Sequence, residues 1–232
     1  MGKDRSGEAT QSGGEVSPPT PRHQFYGRRK GKPLRRQHSD LMQNMLPAIA
    51  LDITQPLLGT GDRRWLEIGF GGGEHLAHQA GLNPHISLLG AEAFLNGVAK
   101  LLAHLDESKV QNVRVLHGDA RDLLEVLPDA CLERLYLLYP DPWPKERQKK
   151  RRFVNPVNLA HFYRLLQPQG LFLFASDIPD YVEWTKQQVM QHAGFSLQGD
   201  PTQPFENWIR TRYEAKAVRE GRDPAYLRFR KL

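Results

Sequence analysis

The sequence predicts a mostly parallel β-sheet covered by helices on both faces, an α/β fold built as one domain. Three observations carry this expectation. Short apolar runs alternate with stretches of helical periodicity from Trp65 onward. The first run is closed by glycines at 69, 71, 72 and 73, where a strand would turn into a helix over a ligand. A chain of 232 residues with 39% apolar content buries one sizeable core, and its length demands no second domain.

The elements follow in order. Residues 1–24 hold only Met1, Ala9 and Val16 as apolar residues, too few to repay the entropy of ordering, so a disordered tail is expected there and the folded domain over 25–232. Tyr26 to Arg36 carries six cations and no acid; it reads either as a solvated arm or as one that tracks phosphates. Leu41 to Leu51 has near-helical apolar spacing broken at Pro47. Trp65 to Ile68 is the first strand, and Glu74 to Ala80 the helix after it. Ser87 to Glu92 is the second strand, followed by a helix with Leu95, Val98, Ala99 and Leu102 on one face. Val113 to His117 is the third strand, and the run Leu132 to Leu138 the fourth.

Leu159, Phe162, Tyr163 and Leu166 mark a further helix face. Gln167-Pro168-Gln169-Gly170 then predicts a turn into a fifth strand over Leu171 to Ala175, with Phe172 and Phe174 in the core. Pro179 opens a helix that runs to Gly194. Phe195 to Leu197 and Ile209 to Ala217 are expected to close the sheet as an antiparallel pair.

Charge and cysteine usage narrow the function classes. Thirty-two Lys and Arg against 26 Asp and Glu give a net charge of +6, and the excess is clustered, which favours a polyanionic partner. Cys131 is the only cysteine, so an intramolecular disulfide and a thiolate-built metal site are both excluded. His75 and His78 lie three apart without a matching acid cluster, so no metal site is expected. No stretch reaches the roughly 20 apolar residues of a membrane span; a cytoplasmic protein with no membrane partner is expected.

Ligands of parallel α/β sheets bind at the carboxyl ends of the strands. Glu67, Glu92, Asp119, Asp141 and Asp177 fall at five such ends. Any one of them could be a helix cap or turn former; five together point to a site. The loop L-E-I-G-F-G-G-G-E is neither a P-loop nor a dinucleotide fingerprint, whose third glycine would fall at Glu74, an acid that would oppose a pyrophosphate. A nucleoside cofactor without phosphate tolerates that acid, and S-adenosylmethionine is such a molecule. Glu92 is placed for the ribose hydroxyls, Asp119 and the small Ala120 for the adenine, and Glu67 with Gly69 and Gly71 for the methionine end.

The stretch Tyr139 to Phe153, Y-P-D-P-W-P-K-E-R-Q-K-K-R-R-F, sets a proline-stiffened acid beside six cations. Asp141 and Trp143 would be aimed at the site with little entropy left to lose, although for Trp143 alone core packing is the favoured reading. Arg151 and Arg152 are expected to touch phosphates. Packing is likewise favoured over base stacking for Trp208 and Tyr213.

These motifs, together with G-A-E, G-D-A, S-D and T-R-Y-E-A-K, closely resemble the bacterial tRNA (guanine-N7)-methyltransferases from about Tyr26 to the C-terminus. Tyr139 and Tyr213 stand where Phe is more usual, and Gln148 where His is common. The resemblance implies the class I S-adenosylmethionine-dependent methyltransferase fold, Rossmann-like with seven strands, and methylation of a guanine in the tRNA variable loop, position 46 of the conventional count. It implies cofactor contacts at Glu67, Glu92, Asp119 and Asp141, with Asp141 also catalytic. It implies tRNA contacts at Lys145, Asp177, Thr211, Arg212, Tyr213 and Glu214. Two other readings stay open: methylation of an exocyclic base amine, and an RNA-binding protein with a vestigial pocket. Monomer and homodimer are equally compatible with the sequence.

Overall fold

A computed structural model describes residues 23–55 and 63–232. The tail expected over 1–24 lies outside them except for His23 and Gln24. These two are held rather than loose: His23 Nε2 lies 2.9 Å from Glu125, and the Gln24 carbonyl accepts from Arg121 at 3.0 Å.

The chain enters through helices α1 (Arg36–Asn44) and α2 (Leu46–Ile49), with Pro47 in the first turn of α2. The alternation expected from the sequence follows: β1 (Arg64–Ile68), α3 (Glu74–Leu82), β2 (Ser87–Glu92), α4 (Leu95–Ser108), β3 (Val113–His117), α5 (Ala120–Val126) and β4 (Leu132–Leu138). A 3-10 turn, Glu146–Arg151, carries the basic loop into α6 (Pro156–Leu165), β5 (Leu166–Ser176) and α7 (Pro179–Gln191). The chain closes with β6 (Phe195–Gln198), α8 (Arg212–Arg219) and β7 (Ala225–Lys231).

The seven strands lie in the order β3-β2-β1-β4-β5-β7-β6, with β7 antiparallel to both neighbours and every other pairing parallel. Strand order reverses between β1 and β4, which opens a crevice at their carboxyl ends. Apolar side chains fill both faces of the sheet. Leu123, Leu159, Phe162 and Tyr181 from α5, α6 and α7 pack on one face, where Phe172 and Phe174 are fully buried. Leu76, Val98, Leu101 and Leu105 from α3 and α4 pack on the other, with Trp65 and Tyr136.

Three expectations need correction. Ile209 to Ala217 is not a strand, because Thr211 accepts from the Glu214 amide at 3.2 Å and so caps α8. T-R-Y-E is a Thr-x-x-Glu helix start. The partner of β6 is β7, whose alternation sends Tyr226 to one face and Leu227 and Phe229 to the other. Residues 167–170 form no separate turn; they are an irregularity inside β5, where the register on β4 shifts and Gln169 takes φ +68°.

Candidate active site

Each strand tip delivers its acid by a different local device. Glu67, next to last in β1, is 3% exposed, and its Oε2 lies 2.7 Å from His75 Nδ1 on α3. Glu92 at the end of β2 accepts from the Gly71 amide at 2.7 Å and the Phe94 amide at 2.8 Å, bridging the glycine loop to the start of α4. Burial pushes its carboxyl above the usual range, against the pull of those amides and the charge of Arg212. Asp119 caps α5 through the Arg121 amide at 3.0 Å and pairs with the Arg121 guanidinium at 2.5 Å. Burial opposes its charge, but the Arg121 bonds prevail and hold the carboxyl below the usual range. Ala120 opens α5 and is buried.

The glycine loop is shaped by what surrounds it. Gly71, at φ +58°, has the Arg212 guanidinium and the Tyr213 ring 3.1 Å from where a Cβ would stand. On the opposite side α4 crowds the loop, since a Cβ on Gly97 would come within 2.1 Å of the Gly71 carbonyl. Thus the T-R-Y-E segment, distant in sequence, covers the loop that follows β1. Arg212 Nε also lies 3.8 Å from Glu74.

Two hollows result. A cavity of about 340 Å³ is lined by Ala93, Leu95, His117, Gly118, Asp119 and Asp122, with His23, Arg29 and Lys30 of the N-terminal arm as its outer wall. A narrower crevice brings together Glu67, Gly69, Glu74, His75, Tyr139, Thr211 and Tyr213. Glu92 lies between them through its bonds to Gly71 and Phe94. The donor set fits S-adenosylmethionine: a cavity in the size range of small-molecule pockets, acids at the ends of β2 and β3, and no phosphate-binding motif.

The acceptor side differs. Asp141 sits exposed beyond the end of β4 with no hydrogen bond or ion pair among the described residues, and partial desolvation by the surrounding chain pushes its carboxyl above the usual range. Both flanks of its turn are left-handed, Tyr139 at φ +49° and Trp143 at φ +43°. Asp177, past β5, is paired at 2.6 Å with Arg222. Lys145 is exposed at the start of the basic 3-10 turn. Thr211 and Glu214 are buried, and Glu214 accepts from Trp208 at 2.6 Å and Tyr226 at 2.9 Å; Tyr213 is 47% exposed.

Several placements depart from the sequence reading. Trp143 is not in the core: its ring meets Tyr26 of the arm edge-on at 6.2 Å, and Arg151 lies over both rings at 4.4 and 5.0 Å. Arg152 cannot present to phosphates, being 1% exposed. Trp208 packs as expected, against His75, Phe205 and Tyr226, but Tyr213 does not, since the second position of α8 leaves its ring half in solvent over Gly71. The partnership of His75 with Glu67 is one that sequence reasoning missed; their separation of eight residues, across one loop into the first turn of α3, is its only signal. Among the described residues no group of three or more His, Cys, Asp or Glu could hold a metal ion, and no helix is long and apolar enough to cross a membrane.

Comparison with known proteins agrees with this geometry. A methyltransferase family model, Methyltransf_4, matches residues 62–227. Among solved structures, the 16S rRNA methyltransferase KamB superposes with a TM-score of 0.55 at 19% identity, covering 73% of this chain and 88% of that one. A precorrin-6y C5,15-methyltransferase from Geobacter metallireducens gives 0.52 at 14% identity, covering 78% and 86%. Both show the fold, that of S-adenosylmethionine-dependent methyltransferases. A tRNA (guanine-N(7)-)-methyltransferase from Agrobacterium fabrum is 50% identical over 217 residues, 88% of this chain and 94% of that protein. One from Ruegeria pomeroyi is 48% identical over 234 residues, 94% and 98% of the two chains. With such identity over nearly the whole of both chains, the protein belongs to the tRNA (guanine-N(7)-)-methyltransferase family.

Proposed function

We infer that the protein transfers a methyl group from S-adenosylmethionine to N7 of a guanine in tRNA, in the variable loop at position 46 as the family resemblance implies. The observation that carries the reading is Asp141. It stands unpaired two residues beyond Tyr139, which lines the narrow crevice; the exposed cations Lys145, Arg147 and Lys150 follow it in the chain, and Trp143, two residues on, meets Tyr26 of the arm that carries the exposed Arg28, Arg29, Lys30, Lys32, Arg35 and Arg36.

When bound, S-adenosylmethionine supplies a methyl group on a cationic sulfur, and guanine N7 has a lone pair to receive it. No proton has to be removed, so the chain needs no Ser–His or Cys–His pair; its task is orientation. Glu92 and Asp119, with Ala120, would hold the adenosine, and Glu67, Gly69 and Gly71 the methionine end. Asp141, with Asp177 through the oxygen that Arg222 leaves, would accept from the guanine Watson–Crick edge and stabilise the positive charge that develops on the ring. Lys145, Arg212 and Tyr213 would contact the tRNA directly. Thr211 and Glu214 would act by fixing the start of α8 beneath them. Residues 25–232 form the catalytic domain with its basic arm, and its work on tRNA belongs to the cytoplasm.

Incubation with methyl-labelled cofactor and bulk tRNA tests the reading. Labelled tRNA should cleave at the modified site under borohydride and aniline treatment. Label on an exocyclic amine, or tRNA binding without any cofactor heat in calorimetry, would overturn it.

A further inference from the structure

Arg152 closes a run of six cations, yet its side chain is fully buried while Lys145, Arg147 and Lys150 are exposed. Its Nε donates to the Pro142 carbonyl at 2.9 Å, in the turn that carries Asp141. One Nη donates to the Asp180 carboxylate, and the other to the Asp180 carbonyl at 3.4 Å. The guanidinium lies 4.8 Å from the Tyr181 ring and 5.2 Å from the Trp184 ring. Asp180, Tyr181 and Trp184 all belong to α7, the helix that begins just after Asp177.

The same helix grips the chain that follows. The Tyr181 hydroxyl accepts from the Phe153 amide at 3.0 Å, and Trp184 Nε1 donates to the Val154 carbonyl at 2.8 Å. The turn that Arg152 ties to this helix is strained, with non-glycine residues at positive φ on both sides of Asp141. Such conformations persist only where the surroundings over-determine them.

Resting on the function argued above, we propose that Arg152 is a positioning residue for methyl transfer: its fork ties the Pro142 carbonyl to the first turn of α7 and so fixes Asp141 relative to Asp177. A planar guanidinium with five donors reaches both acceptors at once; a lysine ammonium at the end of its stem reaches one. Arg152 touches neither substrate nor cofactor in this arrangement, and its charge is spent inside the protein on Asp180.

The test compares Arg152→Lys and Asp180→Asn with the wild type in the full chain. For Arg152→Lys, the single-turnover rate at saturating tRNA and cofactor should fall about 100-fold, the loss typical of a group displaced by about 1 Å. The tRNA dissociation constant and its salt slope should stay within twofold. Asp180→Asn leaves the Pro142 bond in place and should fall about tenfold, so the proposal remains testable should Arg152→Lys fold poorly. A second readout needs no activity: with 5-fluorotryptophan, the fluorine signal of Trp143, assigned through Trp143→Phe, should shift or broaden in both variants while that of Trp65 holds. An undisturbed Trp143 signal, or weakened tRNA binding with a shallower salt slope and an unchanged single-turnover rate, would overturn the proposal. Because the fluorine signal is read without turnover, loss of the strut and failure of the assigned reaction are told apart.

Discussion

The tips of β1, β2 and β3 and the tip of β4 present the same chemical group and treat it in opposite ways. On the first side every acid is held: Glu67 by His75, Glu92 by two backbone amides, Asp119 by Arg121. On the second, Asp141 has no such partner, and its position is set through the backbone that carries it. As the proposed cofactor site, the held acids would form a receptor whose shape exists before the ligand arrives. In the function proposed above, the unheld acid keeps its acceptor capacity free for a charge that appears only during reaction, where a fixed dipole contributes most. Held and unheld acids thus share one sheet edge while following different electrostatic rules.

The largest effect expected from this contrast is at Asp141. Asp141→Ala should lower the single-turnover rate by on the order of 10²–10³-fold, the range for losing one electrostatic stabiliser. Its tRNA affinity should stay nearly intact, and equal losses in rate and affinity would erase the distinction between the two sides. Next comes Glu92→Gln, which keeps the size but loses the charge. It should weaken cofactor binding by roughly 10- to 100-fold, the scale of charge-assisted hydrogen bonds of about 1.5–3 kcal/mol. Calorimetry reads this directly, and an unchanged cofactor heat would remove Glu92 from the receptor.

A smaller effect belongs to the arm. Replacing Arg28 and Lys32 with Gln should make the salt dependence of tRNA binding shallower, by roughly 0.7–0.9 in slope for each phosphate no longer neutralised. An unchanged slope would mean that these cations face solvent only.

The smallest expected effect is on stability. Asp141 has its pKa raised in the folded protein, so between its unfolded and folded values the native state binds the extra proton, and stability declines as pH rises through that window. Asp141→Asn should therefore melt slightly higher than wild type at neutral pH while being nearly inactive. Asp180 behaves oppositely. The Arg152 bond lowers its pKa, so the stability it contributes is present above its unfolded value and is lost as pH falls through the folded one. Parallel melting curves against pH for Asp141→Asn and Asp180→Asn would break the comparison.

The parallel half of the sheet is readable from sequence because buried strands announce themselves as unbroken apolar runs, as in Leu135 to Leu138. The last third is less so. At Thr211 to Glu214 the apolar pattern is thin, and the helix is written in a cap rather than in periodicity. The five acids are legible through their places at strand ends. Of their side-chain partners only Arg121, two residues past Asp119 at a helix cap, is written in local spacing; His75 and Arg222 meet Glu67 and Asp177 through packing of separate elements. Arg152 shows the limit most sharply: within a charge run nothing distinguishes the cation that is fully buried from those that stay at the surface.

Gly97 sets a further constraint. With the Gly71 carbonyl 2.1 Å from where the smallest side chain would begin, the helix and the loop are spaced like two plates pressed without a gasket. Gly97→Ala should therefore disturb cofactor affinity from a position that contributes no functional group, and saturation mutagenesis should return glycine alone there. A residue with no side chain at all thus limits how far the loop and the helix can move apart or together.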